Sequence, residues 1–269
     1  MAAVINPTSL AEVVQVTRPL LLARERTVPV LPALSGLMPD GGLPRGAMVG
    51  VEAGVGAGGG AGAGITSLAL ALAAGPSAAG SWVAVVGRPD LGLAAAAEVG
   101  VDLDRLALVA EPSPEGWAAV VAALIGAVDV VVVAPGHPVR MADARRLAAR
   151  ARERGTVLIQ ASVGGPGGRG RSARGASGLE LDLRLTVIGV EWQGVGSGHG
   201  HLQARRLTVE AGGRRAAARP RRAELWVPDH QGRVLAASPG QIEGRIEGQS
   251  AGFAGSDIDR LVPPLQEVS

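Results

Sequence analysis

The chain of 269 residues is 47% hydrophobic and 19% charged, with 41 Gly, 18 Pro, one Phe, four Trp and neither Cys nor Tyr. Without Cys it has no disulfide, no thiolate zinc ligand and no thiol nucleophile. A mean hydropathy of +0.26 excludes a wholly disordered chain, and Gly or Asp129 breaks the longest apolar runs short of the roughly 18 residues of a membrane span.

All 26 basic residues are Arg, so an isoelectric point near 10.6 accompanies a net charge of only +2. Little titrates between the carboxylates and the guanidinium groups, and the isoelectric point alone does not indicate nucleic acid. Local charge is more informative. Residues 164–222 carry eleven Arg against four acidic residues, and residues 223–269 three Arg against seven. A positive field concentrated in one segment attracts phosphates or an acidic partner.

The start, MAAVINPTSLAEVV, has neither the basic region nor the continuous apolar core of a signal peptide, which predicts a cytoplasmic protein. From Thr8 to about Glu25 a helix is predicted. Ser9 and Glu12 stand at capping-box spacing, and Leu10, Val13, Val14 and Leu21 form an apolar stripe that Pro19 kinks or ends. That stripe must be buried, either on its own domain or on another subunit or partner.

After a Pro- and Gly-rich loop the pattern alternates strand with helix. Strands are predicted at 47–53, 82–86, 106–110, 129–134 and 156–160, and helices at 66–74, 93–99, 113–127 and 141–154. Ser113 as N-cap and Pro114 in the first turn mark the start of the third of these helices. The run DVVVVA at 129–134 has the uninterrupted apolar character of a strand buried on both faces. Helical crossovers between such strands imply an α/β fold with a mostly parallel twisted sheet covered on both sides.

Beyond Gln160 the character changes. Residues 163–178 are too Gly-rich to fold alone, and strand-like runs follow at 181–190, 202–210, 223–227 and 233–236, separated by turns. They predict an antiparallel edge on the sheet. The end is polar and repetitive, with a protease-site-like IEGR at 242–245, and the closing DIDRLVPPLQEVS reads as a docking peptide or as disorder. The chain divides into a helix and linker (1–34), an α/β domain (35–238), and a flexible tail (239–269), native or engineered.

Between the first strand of the alternation and its helix lies GVGAGGGAGAGITS. Free backbone N–H groups and the helix dipole make such a turn an anion site. In the phosphate-loop pattern G-x-x-x-x-G-K-[ST], Gly59, Gly64 and Thr66 occupy fixed positions, but Ile65 stands in place of Lys. Gly54, Gly56 and Gly59 also fit the less specific dinucleotide pattern.

The segments GGLPRGAMVGVEAG, SWVAVVGRPDLGLAAAAEVGVDLDRLALV and VDVVVVAP, with the loop between them, resemble in content and order the RecA-like recombinase and ATPase core over roughly Ser35 to Val227. The resemblance implies a RecA-like core with an N-terminal helix and an antiparallel C-terminal edge. In that family the second strand ends in a catalytic Glu and the buried fourth strand in a magnesium-holding Asp; these positions fall here at Arg88 and Ala134. Three groups are replaced at once, by Ile65, Arg88 and Ala134, which implies a pseudo-ATPase with no nucleotide cofactor.

Within the superfamily the chain is most similar to the ImuA type of mutagenesis factor, in its actinobacterial ImuA-prime branch. The carrying segments are GLPRGAMVGVE, PDLGLAAAAEVGVDLDRL, ADARRLAARARERG and RPRRAELWVP. The implied role is a non-catalytic accessory of damage-induced translesion synthesis. It would bind a catalytically inactive Y-family polymerase homologue of the ImuB type and, indirectly, an error-prone polymerase and the sliding clamp. A nucleoid association during damage and oligomers through the first helix are also implied.

Three alternatives remain from the residues: an ATPase with a non-standard loop, a dinucleotide enzyme using Arg88, and a DNA-binding recombination mediator. For DNA the candidates are Arg169, Arg171 and Arg174, and a hairpin tip with Arg214, Arg215, Arg219, Arg221 and Arg222; each set also reads as a solvated or protein-docking surface. The helix with Arg145, Arg146, Arg150, Arg152 and Arg154 reads as a solvated face. His199 and His201 favour a turn over a metal site. Trp82, Trp117 and Trp226 are expected in the core, and Trp192 on a surface groove.

Overall fold

A computed structural model describes residues 26–54, 57, 64–161, 180–195, 200–214 and 217–237. The predicted first helix, the Gly-rich run at 163–178 and the tail lie outside the described residues.

The opening strands β1 (Thr27–Pro29) and β2 (Gly42–Pro44) form a small antiparallel ribbon around a 3-10 turn at Pro32–Leu37. The main sheet then alternates with helices: β3 (Met48–Ala53), α1 (Ile65–Ala78), β4 (Val83–Val86), α2 (Leu93–Val99), β5 (Leu106–Val109), α3 (Trp117–Ile125), β6 (Val130–Val133), α4 (Met141–Arg154) and β7 (Val157–Ala161). Four further strands complete it: β8 (Leu183–Val195), β9 (Gly200–Gly213), β10 (Arg221–Trp226) and β11 (Leu235–Ala236).

The nine strands lie in the order β11-β10-β9-β8-β3-β7-β6-β4-β5. Every pair from β8 to β5 is parallel, and β8–β9, β9–β10 and β10–β11 are antiparallel. The fold is therefore the expected α/β sheet with an antiparallel edge. Alternation distributes the strand side chains between two cores. Val49, Val51, Val85, Val132 and Ile159 pack with α1 and α2, whereas Met48, Val86, Val131, Val133 and Leu158 pack with α3 and α4. All four residues of β6 are buried, which accounts for a run with no polar member. Helix α1 is nearly all apolar because β3, β6 and β7 lie beneath it and β1 beside it. At Gly75 a Cβ would stand 2.5 Å from the Val30 backbone, so only a glycine admits that approach.

Several boundaries differ from expectation. Helix α3 starts at Trp117, not Ser113: the Ser113 carbonyl accepts from both Gly116 and Trp117 N–H, closing a turn before the helix. Strands β8 and β9 run past 190 and begin before 202, because bulges at Val187/Gly189 and Gln193/Val195 let pairing continue through glycines. Of the tryptophans expected inside, Trp117 is buried, but Trp82 is 46% exposed. Trp82 precedes β4 and uses its backbone N–H on Asp129 Oδ2 at 3.1 Å. Among the described residues no helix is long and apolar enough to cross a membrane.

The loop after β10 is fixed by one carboxylate. Asp229, 4% exposed, accepts from the backbone N–H groups of Gln231 and Arg233, both at 2.8 Å, and from Arg233 Nε and Nη2 at 3.2 and 3.1 Å. Burial opposes its ionisation, but these donors and the Arg233 charge outweigh burial and hold its carboxyl below the ordinary value of 3.8. A lowered native pKa stabilises the fold above the unfolded value and ceases to do so as pH falls through the native one. Denaturant midpoints measured against pH are thus expected to fall below about pH 4, with Asp229→Asn less stable at neutrality and its acid limb flatter. An unchanged acid limb in the variant would remove Asp229 as the cause.

Candidate functional site

The carboxyl ends of β3, β4 and β6 converge on the amino terminus of α1. Gly64 caps this helix in the left-handed region (φ 83°), and a Cβ there would lie 2.8 Å from a methyl of Leu207. Both the dihedral and the neighbour require glycine. Gly59 lies outside the described residues.

Ile65, at the lysine position, is 1% exposed and belongs to the core on the α1 face. Its neighbour Thr66 is half-buried, and Arg88 from the end of β4 reaches it: Nη1 donates to Thr66 Oγ1 at 3.3 Å. Asp90 holds the same guanidinium from the other side, by Nε–Oδ1 at 3.0 Å and Nη2–Oδ2 at 3.1 Å. The Arg88 hydrogen bonds, Asp90's own backbone and the Arg88 charge keep the Asp90 carboxyl below its ordinary range. Ala134, after β6, packs against the core and has no polar side-chain atom to offer.

The structure thus brings Gly64, Ile65, Thr66, Arg88 and Ala134 to one end of the sheet. A cation stands against the hydroxyl that would hold magnesium in a phosphate loop. Two unit charges 4 Å apart interact by about 4 kcal/mol at an effective dielectric of 20, and a divalent ion doubles that repulsion, with Asp90 offsetting part. The sequence reading missed two carboxylates here. Glu111, beyond β5, accepts from Gly136 N–H at 2.9 Å, and Glu52, in β3, accepts from Arg184 Nη1 at 3.1 Å. No spacing signal marks them, since each meets its partner only through the sheet. Among the described residues no three His, Cys, Asp or Glu side chains cluster as a metal site.

Other candidates separate. Arg169, Arg171, Arg174, Arg215 and His199 are outside the described residues, as are Leu10, Val13, Val14 and Leu21. The expected five-arginine tip is not one feature, because β10 already begins at Arg221. Arg221 and Arg222 therefore point to opposite faces, while Arg214 pairs with Glu180 at 2.9 Å and Arg219 is exposed. The five α4 arginines are exposed, as expected.

Trp192 is 45% exposed near the far end of the β8–β9 hairpin, as expected for a surface residue, with the Arg205 guanidinium 5.0 Å from its ring centroid. Arg205 is 8% exposed; Nε donates to the Val227 carbonyl at 2.7 Å, Nη2 has no partner among the described residues, and burial lowers its pKa.

Residues 36–166, which contain this site, match the model of the MT3502 N-terminal domain. An uncharacterized protein of Mycobacterium tuberculosis, Rv3395c, is 37% identical over 144 residues, which are 53% of this chain and 67% of the relative.

Proposed function

The chain belongs to the family of the MT3502 N-terminal domain, and we propose that it is a non-catalytic RecA-like accessory factor of the ImuA type in damage-induced translesion synthesis. Its activity on this reading is binding: it positions a catalytically inactive Y-family polymerase homologue, and through it an error-prone polymerase and the sliding clamp. The observation that supports the reading is the Arg88 guanidinium, seated on Thr66 Oγ1 and clamped by Asp90, beside an Ile65 committed to the core. The electrostatics favour neither magnesium at Thr66 nor an ammonium at position 65. A chain of this kind keeps the framework and uses its surface.

Purified full-length protein is expected to give no magnesium-dependent ATP turnover and to co-purify with the polymerase homologue encoded in its own genome. Removal of residues 8–25, or Trp192→Ala, is the variant expected to weaken that capture. A second reading takes Arg88 as a replacement for the missing lysine in an ATPase with a non-standard loop, since the guanidinium already faces the helix terminus. Magnesium-dependent turnover abolished by Thr66→Ala would establish that reading and remove the first.

A further inference from the structure

At the amino end of β3, one strand length from Gly64 and so about 20 Å away, lies a cavity of about 280 Å³. Four arginines from four separate elements line it. Arg26 precedes β1, Arg45 follows β2, Arg152 lies in the last turn of α4, and Arg214 follows β9. Pro44, Ala47, Leu183 and Ala217 give it an apolar floor, and Asp40 and Asp182 are the acidic wall residues. Gly46 (φ 76°) brings the β2–β3 turn so close to α4 that a Cβ would lie 2.7 Å from Arg152 Cα. The wall is therefore preformed.

Three of the arginines are held open by acidic neighbours: Arg45 by Asp129 at 3.6 Å, Arg152 by Asp182 at 3.6 Å, and Arg214 by Glu180 at 2.9 Å. Their side chains are 39, 51 and 57% exposed, and pairs this exposed are worth about 0–1 kcal/mol, so an incoming carboxylate replaces them at small cost. The guanidinium of Arg26 has no ion pair among the described residues. Asp182 is itself anchored, Oδ2 accepting from Met48 N–H at 3.0 Å.

We infer that this cavity docks an acidic peptide segment of a partner protein, with an apolar side chain on the floor and flanking carboxylates on the arginines. Counting Asp129 and Glu180, four carboxylates balance the four guanidinium groups, so the acidic character is selected by unused donors: only Arg214 hydrogen-bonds its acidic partner, while Arg45 and Arg152 stand 3.6 Å from theirs and Arg26 has none among the described residues. The apolar floor and the two aspartates select a peptide over a bare phosphate: a phosphate leaves the floor unfilled and is repelled by Asp40 and Asp182, whereas a peptide can donate N–H groups to them. The inference rests on the binding role proposed above and places one interface of that role.

The test is fluorescence anisotropy of full-length protein with a short labelled peptide alternating aspartate and leucine, and a control with lysine for aspartate. Binding of the acidic peptide alone is expected, weakened roughly tenfold, about 1.4 kcal/mol, by Arg152→Glu and by Arg26→Glu. Arg140→Glu, at the opposite end of α4 and about 18 Å along that helix from Arg152, should leave it unchanged, and unaltered circular dichroism of all three checks their fold. Equal weakening by Arg140→Glu reduces the effect to net charge and overturns the proposal. So does a single-stranded oligonucleotide that binds more tightly and is lost in the same variants. Tighter peptide binding in the Asp257→Asn/Asp259→Asn protein would make the chain's own acidic end the occupant, against a partner. Loss of peptide binding with polymerase-homologue capture intact removes this interface only; the reverse removes the proposed function and leaves the cavity.

Discussion

Ile65→Lys, which completes the phosphate-loop pattern, is expected to destabilise the protein by roughly 3–5 kcal/mol without creating an ATPase. Ile65 is 1% exposed within the core on the α1 face, so the new ammonium has to be buried or has to displace the first turn of α1. Arg88, already on Thr66 Oγ1, adds like-charge repulsion. A loss of that size lowers the melting temperature by about 6–20 °C in a domain of this length. Calorimetry of the variant, beside a phosphate-release assay with magnesium, checks both parts. A variant that keeps the wild-type melting temperature and turns over ATP would mean that position 65 is open to a phosphate, and the proposed non-catalytic role would fall with it.

The second large effect concerns Trp117. It is 2% exposed at the start of α3, fills the core between α3, α4 and the sheet, and meets the His137 ring edge-on at 5.7 Å and 89°. Trp117→Ala removes the largest fully buried side chain and should cost about 3–5 kcal/mol. The urea midpoint should fall with an unchanged slope, the sign of lost stability without a change in exposed surface. Trp82→Ala, at a residue 46% exposed, should stay within about 0.5 kcal/mol. Equal losses at the two positions would contradict the assignment of one to the core and the other to the surface.

These two tryptophans also mark how far the site and fold could be read in advance. Both stand beside apolar runs, and nothing local separates them; α3 and α4 close over one and leave the other at a sheet end. The departure of Ile65 from the phosphate-loop pattern was legible, because a motif position is a matter of spacing. What stands there instead was not. Arg88 and Asp90 are two apart in sequence, but the hold of the Asp90-bound Arg88 on Thr66 depends on β4 ending beside the start of α1. Periodicity located β6 and α4 closely. It failed in β8 and β9, where the bulge between Val187 and Gly189 shifts the alternation by one residue and the pairing slips again between Gln193 and Val195.

The amino-acid sequence alone determined the alternation of buried strands with helices, and with it a parallel sheet, since apolar runs that need cover on both faces leave few other arrangements. It also determined that Ile, not Lys, follows Gly64 in the glycine-loop region. Only the tertiary structure decided where the arginines act. Arg26, Arg45, Arg152 and Arg214 are separated by up to 188 positions and surround one cavity, while Arg221 and Arg222, adjacent in the chain, point apart. Neighbourhood along a chain follows covalent spacing; neighbourhood in the fold follows which strands pair and which helices cover them.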